Sequence, residues 1–113
     1  MKATTKRQKA MAEALRHLVP HVRYEDAAAI LTAAKRSHMR NLAPVDAVFL
    51  ATVAHIRHRH SDYDALLQEG YDYESARFFV VDDINSVLQG WGASASVDVD
   101  QLTRLDKPQD FPV

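Results

Sequence analysis

The chain has 113 residues, 47% of them hydrophobic and 26% charged, which is enough for one hydrophobic core and has the composition of an ordinary globular domain. It contains no cysteine, so disulfides, thiolate nucleophiles and iron–sulfur clusters are excluded, and any metal would have to rest on histidine and carboxylate. The net charge of −1 conceals a division: residues 1–60 carry eleven Lys/Arg against four Asp/Glu, while residues 61–113 carry three against eleven.

In chain order, Met11, Leu15 and Leu18 repeat at helical spacing before Pro20, predicting a first helix over about 5–18. A second is expected over about 24–40. It opens with Glu25 and Asp26 and closes with Lys35, Arg36 and Arg40, charges that suit the helix dipole at each end. Its small inner face, Ala27, Ile30, Leu31 and Ala34, lets a neighbouring helix approach closely. Pro44 opens a third helix. That helix runs through VDAVFLATVAHI almost without a polar break and should be largely buried, until it turns abruptly into RHRH.

Ser61 and Asp64 are spaced as a capping box for a short fourth helix, DYDALLQE, which Gly70 stops. Asp72 is placed to cap a fifth helix over about 73–90, with Ala76, Val80, Ile84, Val87, Leu88 and Trp91 facing inward. Two residues break that stripe. Asp83 lies on its shoulder, where a basic partner is expected, and Phe78 lies in the middle of the polar face as a candidate interface contact. Beyond Gly92 the alternation VDVD suggests one short strand, followed by an acidic tail with Leu102, Leu105 and Phe111 as its expected anchors. The expected fold is therefore all-α: a bundle of about five helices over residues 1–92, with residues 93–113 as a C-terminal appendage docked on the body or on a neighbouring chain.

The stretch IRHRHSDYDALLQEGYDYESARFFVVDDINSVLQGWG resembles DUF2293, a bacterial and fungal domain family of unknown function. Arg57 and His58 match its Arg-His pair; Asp62, Tyr63 and Asp64 its acidic triplet; and Leu66 and Leu67 its apolar pair. Gly70, Tyr71 and Asp72 match its turn, Ala76 and Arg77 the next pair, and Val87, Leu88 and Trp91 its close. Ser61 stands where threonine is usual and Tyr73 where arginine is common. The likeness spans about residues 40–92. It implies a cytoplasmic helical domain and no particular activity.

Three functional readings follow from the residues. In the first, Arg57, His58, Asp62, Tyr63, Asp64 and Asp83 form a structural polar cluster that pins the third helix to the fourth. The chain is then a non-enzymatic interaction or regulatory module, self-associating or bound to a protein partner. In the second, Lys6, Arg7, Lys9, Arg16, Lys35, Arg36 and Arg40, with Lys2 before them, contact a nucleic-acid backbone in a salt-sensitive way. In the third, His55 and His58 share a helix face and with Asp62 hold a divalent metal for hydrolysis.

His58-Arg59-His60-Ser61-Asp62 also fits the His-x-His-x-Asp pattern of two-metal hydrolases. No histidine follows His60 to complete such a site. Glycine-rich phosphate loops and nucleophile elbows are missing, so no cofactor beyond a divalent metal is expected. No apolar run approaches the roughly 18 residues of a membrane span, which favours a cytoplasmic location.

Overall fold

The computed structural model describes residues 5–106. Among them are six α-helices and one 3-10 turn: α1 Lys6–Leu18, α2 Tyr24–Ala34, the turn Ser37–Met39, α3 Pro44–Arg59, α4 Tyr63–Gln68, α5 Tyr73–Gly90 and α6 Val99–Asp106. The all-α class is as the sequence predicts, with one helix more than expected. Phe111 and Lys2 lie outside the described residues.

Several helices begin where local chemistry supplies a start. Thr5 accepts from the Gln8 amide at 3.0 Å while the Gln8 side chain accepts from the Thr5 amide at 3.2 Å, a reciprocal cap on α1. Pro44 occupies the first turn of α3. Asp72 accepts from the Ser75 amide at 2.8 Å and caps α5 as expected. The hydrogen bonds from Ser75 hold its carboxyl below the ordinary carboxylate value. Gly70 turns the chain between α4 and α5 with φ of +104°, a conformation in which a side chain would be strained.

α3 is the hub. It packs against α1, α2, α4 and α5. Ala47, Val48, Ala51, Val53 and Ile56 are all buried, and Thr52, the one buried polar residue among the described residues, donates its hydroxyl to the Val48 carbonyl at 2.7 Å. Met11 and Leu15 of α1, Ile30 and Ala34 of α2, and Ala76, Val80, Ile84 and Leu88 of α5 complete the centre of the same core. The α1–α2 turn is fixed to the end of α5, where the His21 amide donates to the Trp91 carbonyl at 2.8 Å. There the chain passes so close that a Cβ on Gly92 would lie 2.9 Å from the His21 ring and from Pro20. Gly92 also has φ of +89°, so both sterics and backbone require glycine.

Three local expectations are corrected. The second helix ends at Ala34 rather than near Arg40, because Arg36 adopts an extended backbone. The 3-10 turn that follows swings Met39 into the core. The Met39 and Leu42 carbonyls exposed by that break are taken up by Arg7, whose guanidinium donates to them at 3.0 and 2.8 Å. Ser61 does not form a capping box with Asp64: its hydroxyl donates to the Arg57 carbonyl and accepts from the Tyr63 amide, while Asp64 turns to His58.

The VDVD alternation is not a strand. Asp98 and Gln101 cap each other's amides at 2.8 and 2.9 Å, starting α6. Leu102 is buried and Leu105 packs partly buried against the core.

The segment leading to α6 is held by one side chain. Asn85 on α5 donates to the Val97 carbonyl and accepts from the Val97 amide, both at 2.8 Å, as a strand neighbour would. Replacing Asn85 by Ala should cost about 1–3 kcal/mol, because it orphans both backbone groups. It should also speed hydrogen exchange at the Val97 amide relative to the centre of α3. Unchanged protection there would show that Val97 and Leu102 hold α6 by burial alone.

Candidate functional site

Buried α3 must return to water at its C-terminus, and it does so through His55, Arg57, His58, Arg59 and His60. The helix geometry sends these side chains to two different places. His55 and His60 turn toward the first turn of α2, where His55 Nε2 lies 2.6 Å and His60 Nε2 2.9 Å from the same oxygen, Asp26 Oδ1. His58 turns the other way and pairs through Nδ1 with Asp64 at the start of α4. Beside that pair the Arg57 guanidinium carbon sits 4.7 Å above the ring of buried Tyr63. Burial pushes the Arg57 guanidinium down, opposed by Tyr63 and Asp64.

The Asp26 group is a junction of three elements. Asp26 comes from α2, His55 from the last turns of α3 and His60 from the residue that ends it. The edge of the Trp91 ring, at the end of α5, meets the His60 ring with centroids 5.5 Å apart, and His55 and His60 meet edge to face at 5.7 Å. Burial pushes the Asp26 carboxyl up, but the hydrogen bonds and attraction of His55 and His60 outweigh it and leave the carboxyl below its ordinary value. An ionised carboxylate only accepts, so each histidine presents a protonated Nε2 to it.

The sequence-derived metal set therefore does not converge. Of His55, His58 and Asp62, only His55 lies in the Asp26 group, and Asp62 is exposed at the N-cap of α4 with no side-chain capping bond. From the expected polar cluster, Arg57, His58, Tyr63 and Asp64 come together, whereas Asp83 is exposed on α5. Asp26 and Trp91 were missed as site residues. Asp26 stands 29 positions before His55, and in the sequence it is accounted for as a helix-dipole charge. Only the crossing of α2 over the end of α3 links the two.

Of the cations expected to meet nucleic acid, Lys6, Lys9, Arg16, Lys35, Arg36 and Arg40 are exposed and in no ion pair among the described residues. Arg7 is already committed to backbone carbonyls. Phe78 is exposed, and it does not stand alone: its ring meets Phe79 at 5.8 Å, and Phe79 meets Tyr71 at 5.7 Å, both edge to face. No helix among the described residues is long and apolar enough to cross a membrane.

The family model described as "Uncharacterized conserved protein (DUF2293)" matches residues 14–92, a span that includes Asp26, His55, His60 and Trp91 and leaves α6 outside. No curated protein and no solved structure matches the chain.

The two histidine–aspartate groups differ in exposure. The His55 and Asp26 side chains are 12% and 13% exposed, those of His58 and Asp64 65% and 45%. In metal-free buffer Asp26→Ala should lower stability by roughly 1–3 kcal/mol, because it strands two donors at a packed junction. Asp64→Ala should cost under about 1 kcal/mol, as exposed pairs do. Chemical denaturation of the two variants tests this ranking, and equal losses would contradict it.

Proposed function

We propose that this chain, which belongs to the DUF2293 family, works as a non-enzymatic interaction module that associates with a second copy of itself. The observation that carries the reading is the aromatic patch on the outer side of α5. Tyr71, Phe78 and Phe79 are 43%, 65% and 56% exposed and touch one another, forming a contiguous apolar surface on a small domain. Its border is acidic: Glu74 lies one turn before Phe78, and Asp82 one turn after both phenylalanines. Asp72 follows Tyr71 in the chain, and Glu74, Ser75, Phe78, Phe79 and Val99 line a groove there, with Asp100 next to Val99 in the chain.

A complementary surface lies on the other half of the molecule. Ala10, Glu13, Ala14, His17 and Leu18 of α1, with Ala43, Pro44 and Val45 at the start of α3, line a mostly apolar groove. Val45 is exposed on it. Lys6 continues the same helical stripe, and Lys9 and Arg16 flank it. An acid-bordered aromatic patch and an apolar groove flanked by Lys6, Lys9 and Arg16, with Glu13 the one acidic residue in its lining, favour contact between two copies, which would also satisfy the opposite charges of the two halves.

Magnitudes bear on how such a contact would work. Withdrawing a phenylalanine ring from water is worth about 1.5–3 kcal/mol. Association costs an estimated 4–15 kcal/mol in lost freedom. Two rings meet only the lower part of that range, so the charged borders must contribute and the contact should be salt-sensitive.

Light scattering over a range of protein concentrations should give a mass that rises above that of one chain and falls back as salt is added. Phe78→Asp and, on the opposite surface, Val45→Asp should each hold the protein monomeric with its helicity unchanged. A monomer at every concentration in low salt overturns the proposal, and it does so decisively if the same sample retards duplex DNA, since the cations would then serve a phosphate backbone.

A further inference from the structure

We propose that Asp26, His55 and His60 form a binding site for one divalent transition-metal ion of the zinc type. Asp26, His55 and His60 each offer one ligand atom, and these lie within 4.8 Å of one another, drawn from two helices and a helix end that the fold alone brings together. Two imidazoles and one carboxylate suit zinc and its neighbours, whereas calcium and magnesium prefer an all-oxygen shell. Three protein ligands leave a fourth tetrahedral position for water.

The spacing decides what must move. Zinc bonds of about 2.0–2.1 Å place tetrahedral ligand atoms about 3.3 Å apart. The present separations from Asp26 Oδ1 are 2.6 and 2.9 Å, which are hydrogen-bond lengths. An ion therefore replaces the two shared protons and spreads the donors by about half an ångström.

His60 is the group free to do this. It ends α3 rather than lying within it, and its side chain is 34% exposed, while Asp26 and His55 are largely buried and fix two corners of the site. Each imidazole then carries its proton on Nδ1 and offers the Nε2 lone pair to the ion.

The carboxylate offsets one charge of the ion; of the two neighbouring arginines, Arg57 is engaged over the Tyr63 ring and Arg59 is exposed to solvent, where its charge is screened. Trp91 walls the His60 side and is the one tryptophan in the chain, so it reports directly on the site.

The test uses the full chain after treatment with a chelator, titrated with zinc chloride in a calorimeter and with cobalt(II) followed by visible absorption and Trp91 fluorescence. The expected result is one zinc ion per chain, cobalt bands of four-coordinate character and quenching of Trp91. His60→Gln should weaken zinc binding at least tenfold while the far-ultraviolet spectrum stays unchanged, and Asp26→Ala should weaken it further. His58→Ala, which alters a histidine equally close to the helix end but paired with Asp64, should leave the affinity unchanged. Absence of stoichiometric zinc binding overturns the proposal, as does a His58→Ala loss as large as that of His60→Gln.

Discussion

One carboxylate oxygen, Asp26 Oδ1, receives two imidazoles where the start of α2 crosses the end of α3. The need for such an acceptor follows from α3 itself. A helix buried along most of its length gains its stability from packing, but its last carbonyls and the histidines around them must find partners where it emerges. The acidic first turn of α2 meets that need electrostatically as well, since a carboxylate is favoured at a helix start and imidazoles at a helix end. Through His60 the same group touches Trp91, and through the Trp91 carbonyl and His21 the end of α5 is tied back to the α1–α2 turn. Four stretches of chain thus share one junction.

The junction also explains why two histidine clusters close in sequence have different surroundings. His58 is three residues from His55, yet it faces α4 and water, where its pair with Asp64 is weakly stabilising at most. His55 faces α2 and lies largely out of solvent. The polar groups that matter to the fold are therefore separated from those that decorate its surface by about a sixth of a helical turn in direction, not by distance along the chain.

Much of the architecture was legible in the sequence because its signals are local. The apolar run after Pro44, the Asp72 cap and Gly70 are each read within a few residues, and each appears where expected. The break after Ala34 was hidden because Lys35, Arg36 and Arg40 suit a helix end equally well one turn later. The burial of Met39 and the reach of Arg7 decide the point, and both are tertiary. α6 was mistaken for a strand because four residues of alternation outweighed the Asp98–Gln101 spacing, which was the better signal. Phe78 was visible as an anomaly, but Phe79 was not, since its contact with Tyr71 depends on how the Gly70 turn folds back. The Asp26 partnership lay beyond any local pattern.

Whether the junction exists is decided by which atom of each histidine carries the proton toward Asp26. Long-range proton–nitrogen correlation in the metal-free protein near neutral pH reads this directly for all six imidazoles. It should show a protonated Nε2 in His55 and in His60, and Asp26→Asn should shift both ring signals together. A bare Nε2 with the proton on Nδ1 in either residue would mean that Asp26 does not hold both rings, and the junction between α2 and the end of α3 would be absent.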